Sequence, residues 1–185
     1  DEMTCIWNYQ VFKYIDGVTL DEYLRSGREK KYLIPELLSG FKEIQCYKIM
    51  HRDIKLDNIM IENNHVKIID FGLSCYQSDL TLFNHNEYVG TRQFMCPEMF
   101  SLECYNAGCD TWSLAILFYF IIMNKFPYRI KQKDFIRYQQ FKIIPREIFK
   151  FNLDIPKTNL YYSLLRTMFI VNKMKRPLIS DLLIS

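Results

Sequence analysis

The chain has 185 residues with a formal net charge of +3, and 49% of them are hydrophobic and 24% are charged. This length fits one domain over residues 1–185, because a globular chain of such size buries roughly 70% of the surface that its unfolded form exposes. The composition is that of a globular protein and excludes a disordered chain. The longest apolar stretch, residues 114–123, is too short to span a bilayer, and the small net charge gives no argument for nucleic acid. We therefore expect no nucleic-acid or membrane partner, and a cytoplasmic or nuclear location.

Six cysteines are spread along the chain without a Cys-x-x-Cys spacing or the dense pattern of secreted proteins. A free cysteine behaves as a small hydrophobe and is usually buried. We therefore expect reduced, mostly buried thiols at Cys5, Cys46, Cys75, Cys96, Cys104 and Cys109.

The first part of the chain predicts one strand and two helices. Residues 5–15 are rich in aromatic and β-branched types and end at an Asp-Gly pair, which indicates a strand followed by a turn. Residues 21–24 suit a short helix with Thr19 as its cap. From Pro35 onward, apolar residues recur at helical spacing, which predicts a helix of about four turns with proline in its first turn.

The middle of the chain predicts a hairpin, a loop and a buried helix. Residues 59–61 and 66–69 are short β-type runs, and the asparagines between them tolerate the positive φ of a hairpin turn. No period holds over residues 73–95, which predicts a long surface loop. Residues 110–123 are almost uniformly apolar and predict a helix that is buried all round. Further helices are predicted over residues 132–141, 159–171 and 178–185.

Two polar motifs flank the predicted hairpin. The stretch from His51 to Asn58 carries a carboxylate, an ammonium and an amide, on Asp53, Lys55 and Asn58. An Asp-Phe-Gly motif follows at residues 70–72. Carboxylate and amide oxygens suit Mg²⁺, and a lysine supplies a compact positive charge. These groups can hold a metal-bound polyphosphate beside a hydroxyl.

The motifs together resemble the eukaryotic protein kinase family, over the whole chain but only over the large C-terminal lobe of that family. The matching motifs, in the family's order, are His51-Arg52-Asp53 with Lys55 and Asn58, Asp70-Phe71-Gly72, Gly90-Thr91 before Cys96-Pro97-Glu98, Asp110-Thr111-Trp112-Ser113, and Arg176-Pro177. The resemblance implies an α+β fold that is mainly α-helical, a kinase-like C-terminal lobe with a hinge strand and a small catalytic-loop β-hairpin.

The resemblance also implies the chemistry of phosphoryl transfer from ATP with Mg²⁺. It implies that Asp53 accepts or orients the proton of the substrate hydroxyl, that Lys55 faces the transferred phosphate, and that Thr91 hydrogen-bonds both. Asn58 and Asp70 are implied to hold the magnesium. The expected partners are ATP and a protein substrate, with a regulatory protein as a further candidate.

Other site residues are assigned by the same resemblance. Phe12 falls at the gatekeeper position, with the Lys13 carbonyl and the Ile15 backbone hydrogen-bonding adenine. Met60 would close the adenine pocket from below, although an apolar strand residue is also consistent with plain core.

Several residues are implied to hold the site together. Glu98 and Arg176 resemble the family's buried ion pair, for which bidentate arginine geometry is suited. Asp110 is expected to tie down the backbone of the catalytic loop. His51 and Phe71 are assigned structural roles within their motifs.

Regulation is expected around Arg52. The resemblance implies that Arg52 belongs to a pocket that receives a phosphorylated loop residue. The alternative is that Arg52 is a surface arginine without this role. The residue four before Thr91 is Glu87, whose carboxylate could pair with Arg52 without phosphorylation. We therefore expect a constitutively ordered loop. Alternative phosphorylation sites are Ser74, Ser78, Thr81 and Tyr88.

The chain departs from the family in lacking the glycine-rich loop and the strand lysine of the small lobe. We expect the small lobe to lie outside these residues and this fragment alone to be inactive. Cys96 replaces the usual alanine. Lysine two residues after Asp53, together with Thr91, is similar to the serine/threonine branch.

Two other functions stay open. One is a non-catalytic kinase-like scaffold or regulatory binding protein, against which the retained Asp53, Lys55, Asn58 and Asp70 argue. The other is a small-molecule kinase of the aminoglycoside or choline type. Chains of that type lack the Lys55 pattern and the Cys-Pro-Glu segment at 96–98.

Overall fold

The computed structural model describes residues 11–78, 90–100, 106–140 and 153–183. Short strands lie at Val18–Thr19 (β1), Ile49–Met50 (β2), Ile59–Glu62 (β3), His65–Ile68 (β4) and Cys75–Tyr76 (β5). The α-helices lie at Leu20–Arg25 (α1), Leu33–Cys46 (α2), Pro97–Phe100 (α3), Gly108–Met123 (α4), Gln132–Gln140 (α5) and Tyr162–Met168 (α6). Single turns of 3₁₀ helix cover Leu56–Asn58, Arg92–Phe94 and Ile179–Asp181. Within these described residues, no helix is long and apolar enough to cross a membrane.

Helix α1 begins at a capping box, in which Thr19 and Glu22 satisfy each other's backbone N–H groups. The Thr19 hydroxyl accepts from the Glu22 N–H at 3.3 Å, and the Glu22 carboxylate accepts from the Thr19 N–H at 2.9 Å. The hydrogen bonds from Thr19 lower the pKa of Glu22. The predicted short helix and its cap are confirmed.

Strands β3 and β4 form the predicted hairpin, and β1 pairs with the other edge of β3, so that the antiparallel order is β1-β3-β4. Asn63 and Asn64 adopt left-handed conformations, with φ of 51° and 64°, as a type I′ turn requires. Ile59 and Ile61 are buried in the core, whereas Met60 lies half-buried on the opposite face. The hairpin prediction is confirmed.

Helix α4 forms the centre of the core, and its residue Trp112 is fully buried, as the uniformly apolar sequence predicted. Helix α2 packs against the C-terminal 3₁₀ turn. Gln45 Oε1 accepts a hydrogen bond from the Ser180 N–H at 2.8 Å, and Lys42 donates to the Leu182 carbonyl. Helix α2 therefore joins the N-terminal and C-terminal parts of the described chain.

A buried ion pair joins α3 to the segment that follows α6. Arg176 Nη1 and Nη2 donate to the two Glu98 oxygens at 2.8 and 2.9 Å. The remaining guanidinium N–H groups donate to the carbonyls of Gly108, Ile170 and Val171. Arginine has five N–H donors, and all five have acceptors here. The predicted contact between Glu98 and Arg176 is present.

The strand predicted over residues 5–15 is wrong for the part that the structure describes. Residues 11–16 have no regular structure, and Val11, Phe12 and Tyr14 are 85%, 79% and 82% exposed. They have no strand partner among the described residues, since pairing with β3 begins only at Val18. A β-type composition makes a strand only where another strand satisfies its backbone groups.

Two predicted C-terminal helices are shorter than expected. Helix α6 stops at Met168 instead of residue 171, and the carbonyls of Ile170 and Val171 beyond it accept hydrogen bonds from the Arg176 guanidinium. Of residues 178–185, only the 3₁₀ turn Ile179–Asp181 forms, and 184–185 lie outside the described residues.

The loop predicted over residues 73–95 contains two short elements that the sequence did not indicate. Strand β5 pairs with β2, and the 3₁₀ turn Arg92–Phe94 precedes α3. Residues 79–89 lie outside the described part of the chain. Helix α5 matches its prediction over residues 132–140.

The expectation of reduced thiols is wrong for one pair, because a disulfide joins Cys96 and Cys109. The starts of α3 and α4 bring their Cα atoms to 5.3 Å, a separation that a disulfide can bridge. Cys46 and Cys75 are reduced thiols, and Cys46 is exposed. Cys5 and Cys104 lie outside the described residues.

Replacing Arg176 with alanine would leave the Glu98 carboxylate buried without its cation. We expect the free energy of unfolding to fall by about 3–5 kcal/mol, measured by urea unfolding. The control is Arg25→Ala, which removes an exposed pair with Asp21 at 2.8 Å and should cost less than about 0.5 kcal/mol. Equal losses in the two variants would contradict a stabilising role for the buried pair.

Candidate active site

The loop that starts at His51 is held by a carboxylate from the first turn of α4. Asp110 Oδ2 accepts from the His51 N–H at 2.7 Å, and Oδ1 accepts from the Arg52 N–H at 3.0 Å. Burial raises the pKa of Asp110, and the hydrogen bonds from His51 and Arg52 offset only part of this rise. The predicted tie between Asp110 and the loop backbone is present.

Arg52 in this loop and Asp70 after the hairpin adopt left-handed backbone conformations, which residues other than glycine rarely adopt. Arg52 has φ of 66° and Asp70 has φ of 62°. Such strain persists only where surrounding contacts hold it, and it is common at functional sites. For Arg52, the hydrogen bond from its N–H to Asp110 is such a contact.

Asp53 is the buried centre of the site, and three side chains donate hydrogen bonds to its carboxylate. Lys55 Nζ donates to Oδ2 at 2.7 Å, Asn58 Nδ2 donates to Oδ2 at 3.0 Å, and Thr91 Oγ1 donates to Oδ1 at 3.0 Å. Asn58 Nδ2 also donates to the Asp53 carbonyl at 2.9 Å. The predicted contact of Thr91 with Asp53 is therefore present.

These contacts keep Asp53 ionised. Burial alone raises the pKa of Asp53, but the hydrogen bonds from Lys55, Thr91 and Asn58 outweigh it, so the pKa lies below its ordinary value. A depressed pKa means that the ionised group stabilises the fold above its unfolded pKa. That stabilisation is lost as the pH falls through the lower, folded pKa.

Thr91 reaches Asp53 because a glycine precedes it. Gly90 has φ of 88°, and a Cβ on it would lie 2.5 Å from the Arg52 carbonyl oxygen. A side chain at residue 90 would therefore clash with the backbone of the loop at Arg52. In the sequence this glycine is only part of a motif, and its packing role is visible in the structure.

His51 links the loop to the Asp-Phe-Gly motif. Its ring is buried, and Nδ1 accepts from the Asp53 N–H at 3.3 Å while Nε2 lies 3.1 Å from the Ile69 carbonyl oxygen. These partners assign a neutral ring with the proton on Nε2. The Phe71 ring centroid lies 5.0 Å from the His51 ring centroid, and Phe71 itself is 45% exposed.

The hairpin brings the two predicted metal ligands together. The Ile69 N–H donates to the Asn58 carbonyl at 3.0 Å, so Asp70 follows directly after a residue that pairs with Asn58. Asp70 is exposed, and its Oδ1 accepts from the Gly72 N–H at 3.2 Å. Asn58 uses its amide nitrogen on Asp53, and its side-chain oxygen accepts no hydrogen bond from the described residues.

Of the residues predicted to bind adenine, Met60 lies in β3, and Lys13 and Ile15 lie in the segment that leads to β1. The Asp16 N–H donates to a Glu62 side-chain oxygen at 2.9 Å, which ties the segment to the hairpin. Met60, on the half-buried face of β3, pairs with Thr19 of β1. Ile15 is half-buried, whereas Lys13 and the predicted gatekeeper Phe12 are exposed.

The predicted regulatory contact falls outside what the structure describes. Arg52 Nε donates to the Leu73 carbonyl, which follows the Asp-Phe-Gly motif. Ser74 Oγ donates to the His51 carbonyl at 3.4 Å, a second link between these two stretches. Glu87 lies outside the described residues, so its pairing with Arg52 stays a prediction. Every residue carries a backbone carbonyl, so the sequence gives no sign that Arg52 contacts that of Leu73.

Thr91→Val should raise the pKa of Asp53, because it removes one of the hydrogen bonds that favour the carboxylate. Thr91→Ser keeps the hydroxyl and should leave the pKa nearly unchanged. The measurement is an NMR pH titration of the aspartate carboxyl carbons. Identical Asp53 titration in the two variants would show that the Thr91 hydroxyl does not tune this carboxylate.

Comparison with known proteins agrees with the motifs. The family profile described as protein kinase domain matches residues 6–185. A probable serine/threonine-protein kinase of Encephalitozoon cuniculi is 40% identical over 106 residues, which cover 57% of this chain and 20% of that protein. A mitosis inducer protein kinase of Schizosaccharomyces pombe is 31% identical over 137 residues, 69% of this chain and 23% of that protein.

A second Encephalitozoon cuniculi protein, a probable serine/threonine-protein kinase and KIN1 homolog, is 35% identical over 127 residues. These cover 65% of this chain and 22% of that protein. The aligned part of the chain thus spans about a fifth of the length of each of these three relatives.

Proposed function

Because this chain belongs to the protein kinase family, we propose that it is the catalytic part of a serine/threonine protein kinase. The reaction would transfer the γ-phosphoryl group of ATP to hydroxyl groups of a protein substrate. The names of these relatives, and the hydrogen bonds that Lys55 and Thr91 each donate to Asp53, support the serine/threonine class. The proposal concerns the whole protein, since the chain spans about a fifth of those relatives.

The hydrogen bonding of Asp53 is the observation that carries this proposal. An ionised carboxylate offers about four acceptor sites. Among the described residues, Lys55, Asn58 and Thr91 occupy three of them, which leaves room for one further donor. A substrate hydroxyl that donates there would have its oxygen oriented for attack, and the lowered pKa keeps the acceptor ionised at neutral pH. With one acceptor site left, Asp53 would orient one substrate hydroxyl at a time.

Lys55 can serve the phosphate while it holds Asp53. Its ammonium has three N–H donors, one of which goes to Asp53 at 2.7 Å. Its side chain is 22% exposed, so the other donors can reach a ligand from solvent. A fixed positive charge at this point would stabilise negative charge that develops on the transferred group.

The residues around Asn58 and Asp70 fit a magnesium ion. The free side-chain oxygen of Asn58 and the exposed Asp70 carboxylate are hard oxygen ligands of the kind that Mg²⁺ prefers. When bound, Mg²⁺ would neutralise charge on the phosphates of ATP. The Asn58 amide nitrogen would at the same time keep its hydrogen bonds to Asp53, which couples the metal side of the site to the base.

Asp53→Asn in the whole protein should lower kcat by about a hundredfold or more, because an amide cannot accept the hydroxyl proton. The measurement is transfer of labelled phosphate from ATP to a general protein substrate such as casein. The matched control is Asp57→Asn, because Asp57 is an exposed aspartate in the same loop. Equal turnover in wild type and Asp53→Asn would refute the assigned role.

Asp70→Asn should raise the Mg²⁺ concentration for half-maximal activity by roughly tenfold or more, because it removes a charged ligand. Asp70 is exposed, so the melting temperature without nucleotide should stay unchanged. Asp16→Asn, another exposed aspartate, is the control. An unchanged magnesium dependence would remove Asp70 from the metal site.

A further inference from the structure

The disulfide between Cys96 and Cys109 lies directly behind the candidate active site. Cys96 is fully buried and Cys109 is 3% exposed. We propose that this pair is a reversible thiol–disulfide site that clamps residues 90–100 to helix α4, and that its oxidation state sets how tightly the protein substrate is held. The effect on substrate rests on the proposed function.

Both ends of the clamp are connected to groups of the active site. Cys109 directly precedes Asp110, which holds the backbone of the catalytic loop. Cys96 belongs to the same short segment as Thr91, which donates to Asp53. Between them, Ser113 Oγ of α4 donates to the Phe94 carbonyl at 2.7 Å. The cross-link therefore joins the segment that contacts Asp53 through Thr91 to the helix that holds the loop backbone through Asp110.

The surroundings favour redox chemistry over metal binding. The sulfur atoms and a Glu98 oxygen are potential metal ligands within 4.8 Å of one another. Both Glu98 oxygens, however, already bind the Arg176 guanidinium. A cation placed there would face the positive charge of Arg176 and would compete with it for the same carboxylate.

The chemistry is thiol–disulfide exchange with a low-molecular-weight disulfide. One protein thiolate attacks the disulfide, which forms a mixed disulfide and releases one small thiol. The second protein thiolate then attacks the protein sulfur, which forms the Cys96–Cys109 bond and releases the second small thiol. The two protons of the protein thiols end on the released thiols, and a dithiol reductant reverses the reaction. Because both sulfurs are buried, exchange needs local opening and should be slower than at the exposed Cys46.

Reduction should loosen the segment that carries Thr91. Two thiols that are no longer bonded must separate to van der Waals contact, and a close-packed interior gives them little space. The start of α3 would therefore shift away from α4. The proposed metal ligands, Asn58 and Asp70, lie at the two ends of the β3–β4 hairpin. The disulfide does not connect them to residues 90–100.

The test uses the whole protein, oxidised with glutathione disulfide or reduced with dithiothreitol. Peptide mapping without reductant should show a linked Cys96–Cys109 pair only in the oxidised sample. Reduction should lower the melting temperature by roughly 4 °C or more. Cys96→Ala and Cys109→Ala should each lose this response, whereas Cys46→Ala, at an exposed free cysteine, should keep it.

Activity supplies the second readout. Reduction of wild type should raise KM for the protein substrate at least threefold and leave KM for ATP unchanged. Reduction of Cys96→Ala or Cys109→Ala should change neither value. The proposal is overturned if no linked peptide forms, if reduction changes neither the melting temperature nor KM, or if the reduced protein binds one zinc ion through this pair. A failure of the proposed function would appear as no turnover in either redox state, while the linked peptide and melting temperature would still report on the clamp.

Discussion

The described structure depends on one buried guanidinium. Arg176 uses all five N–H donors, two on Glu98 and three on the carbonyls of Gly108, Ile170 and Val171. The guanidinium carbon Cζ of Arg176 also lies 5.0 Å from the centre of the Trp112 ring. A buried charge is tolerated only when its hydrogen bonds and its countercharge are both supplied. This requirement holds the start of α3, the start of α4 and the segment after α6 in one arrangement.

The same arrangement gives two aspartates opposite environments. Asp110 receives only backbone N–H groups and has a raised pKa, because burial dominates. Asp53 receives side-chain donors that include the Lys55 ammonium, and its pKa is lowered. The first carboxylate positions the loop, and in the proposed function the second accepts from a substrate hydroxyl. Their different roles follow from their surroundings, because the two side chains are chemically identical.

The prediction from sequence was good for elements with local causes. The capping box at Thr19, the Asn63-Asn64 turn and the apolar helix α4 each have a signal within a few residues. The prediction failed where a structural feature depends on contacts between residues that are distant in the sequence. Residues 11–16 have a β-type composition but no described partner strand. The disulfide was missed because no local spacing marks Cys96 and Cys109.

The sequence by itself determined the order of the motifs, and with it the family and the list of candidate site residues. Only the tertiary structure decided which of them meet. Thr91 reaches Asp53 across 38 residues, and Arg176 reaches Glu98 across 78. Such contacts form because buried polar groups must find partners wherever the packed core brings them together, whereas residue order alone carries no distance between atoms. The site is therefore readable from the chain as a set of residues, and its hydrogen bonding and charge only from the fold.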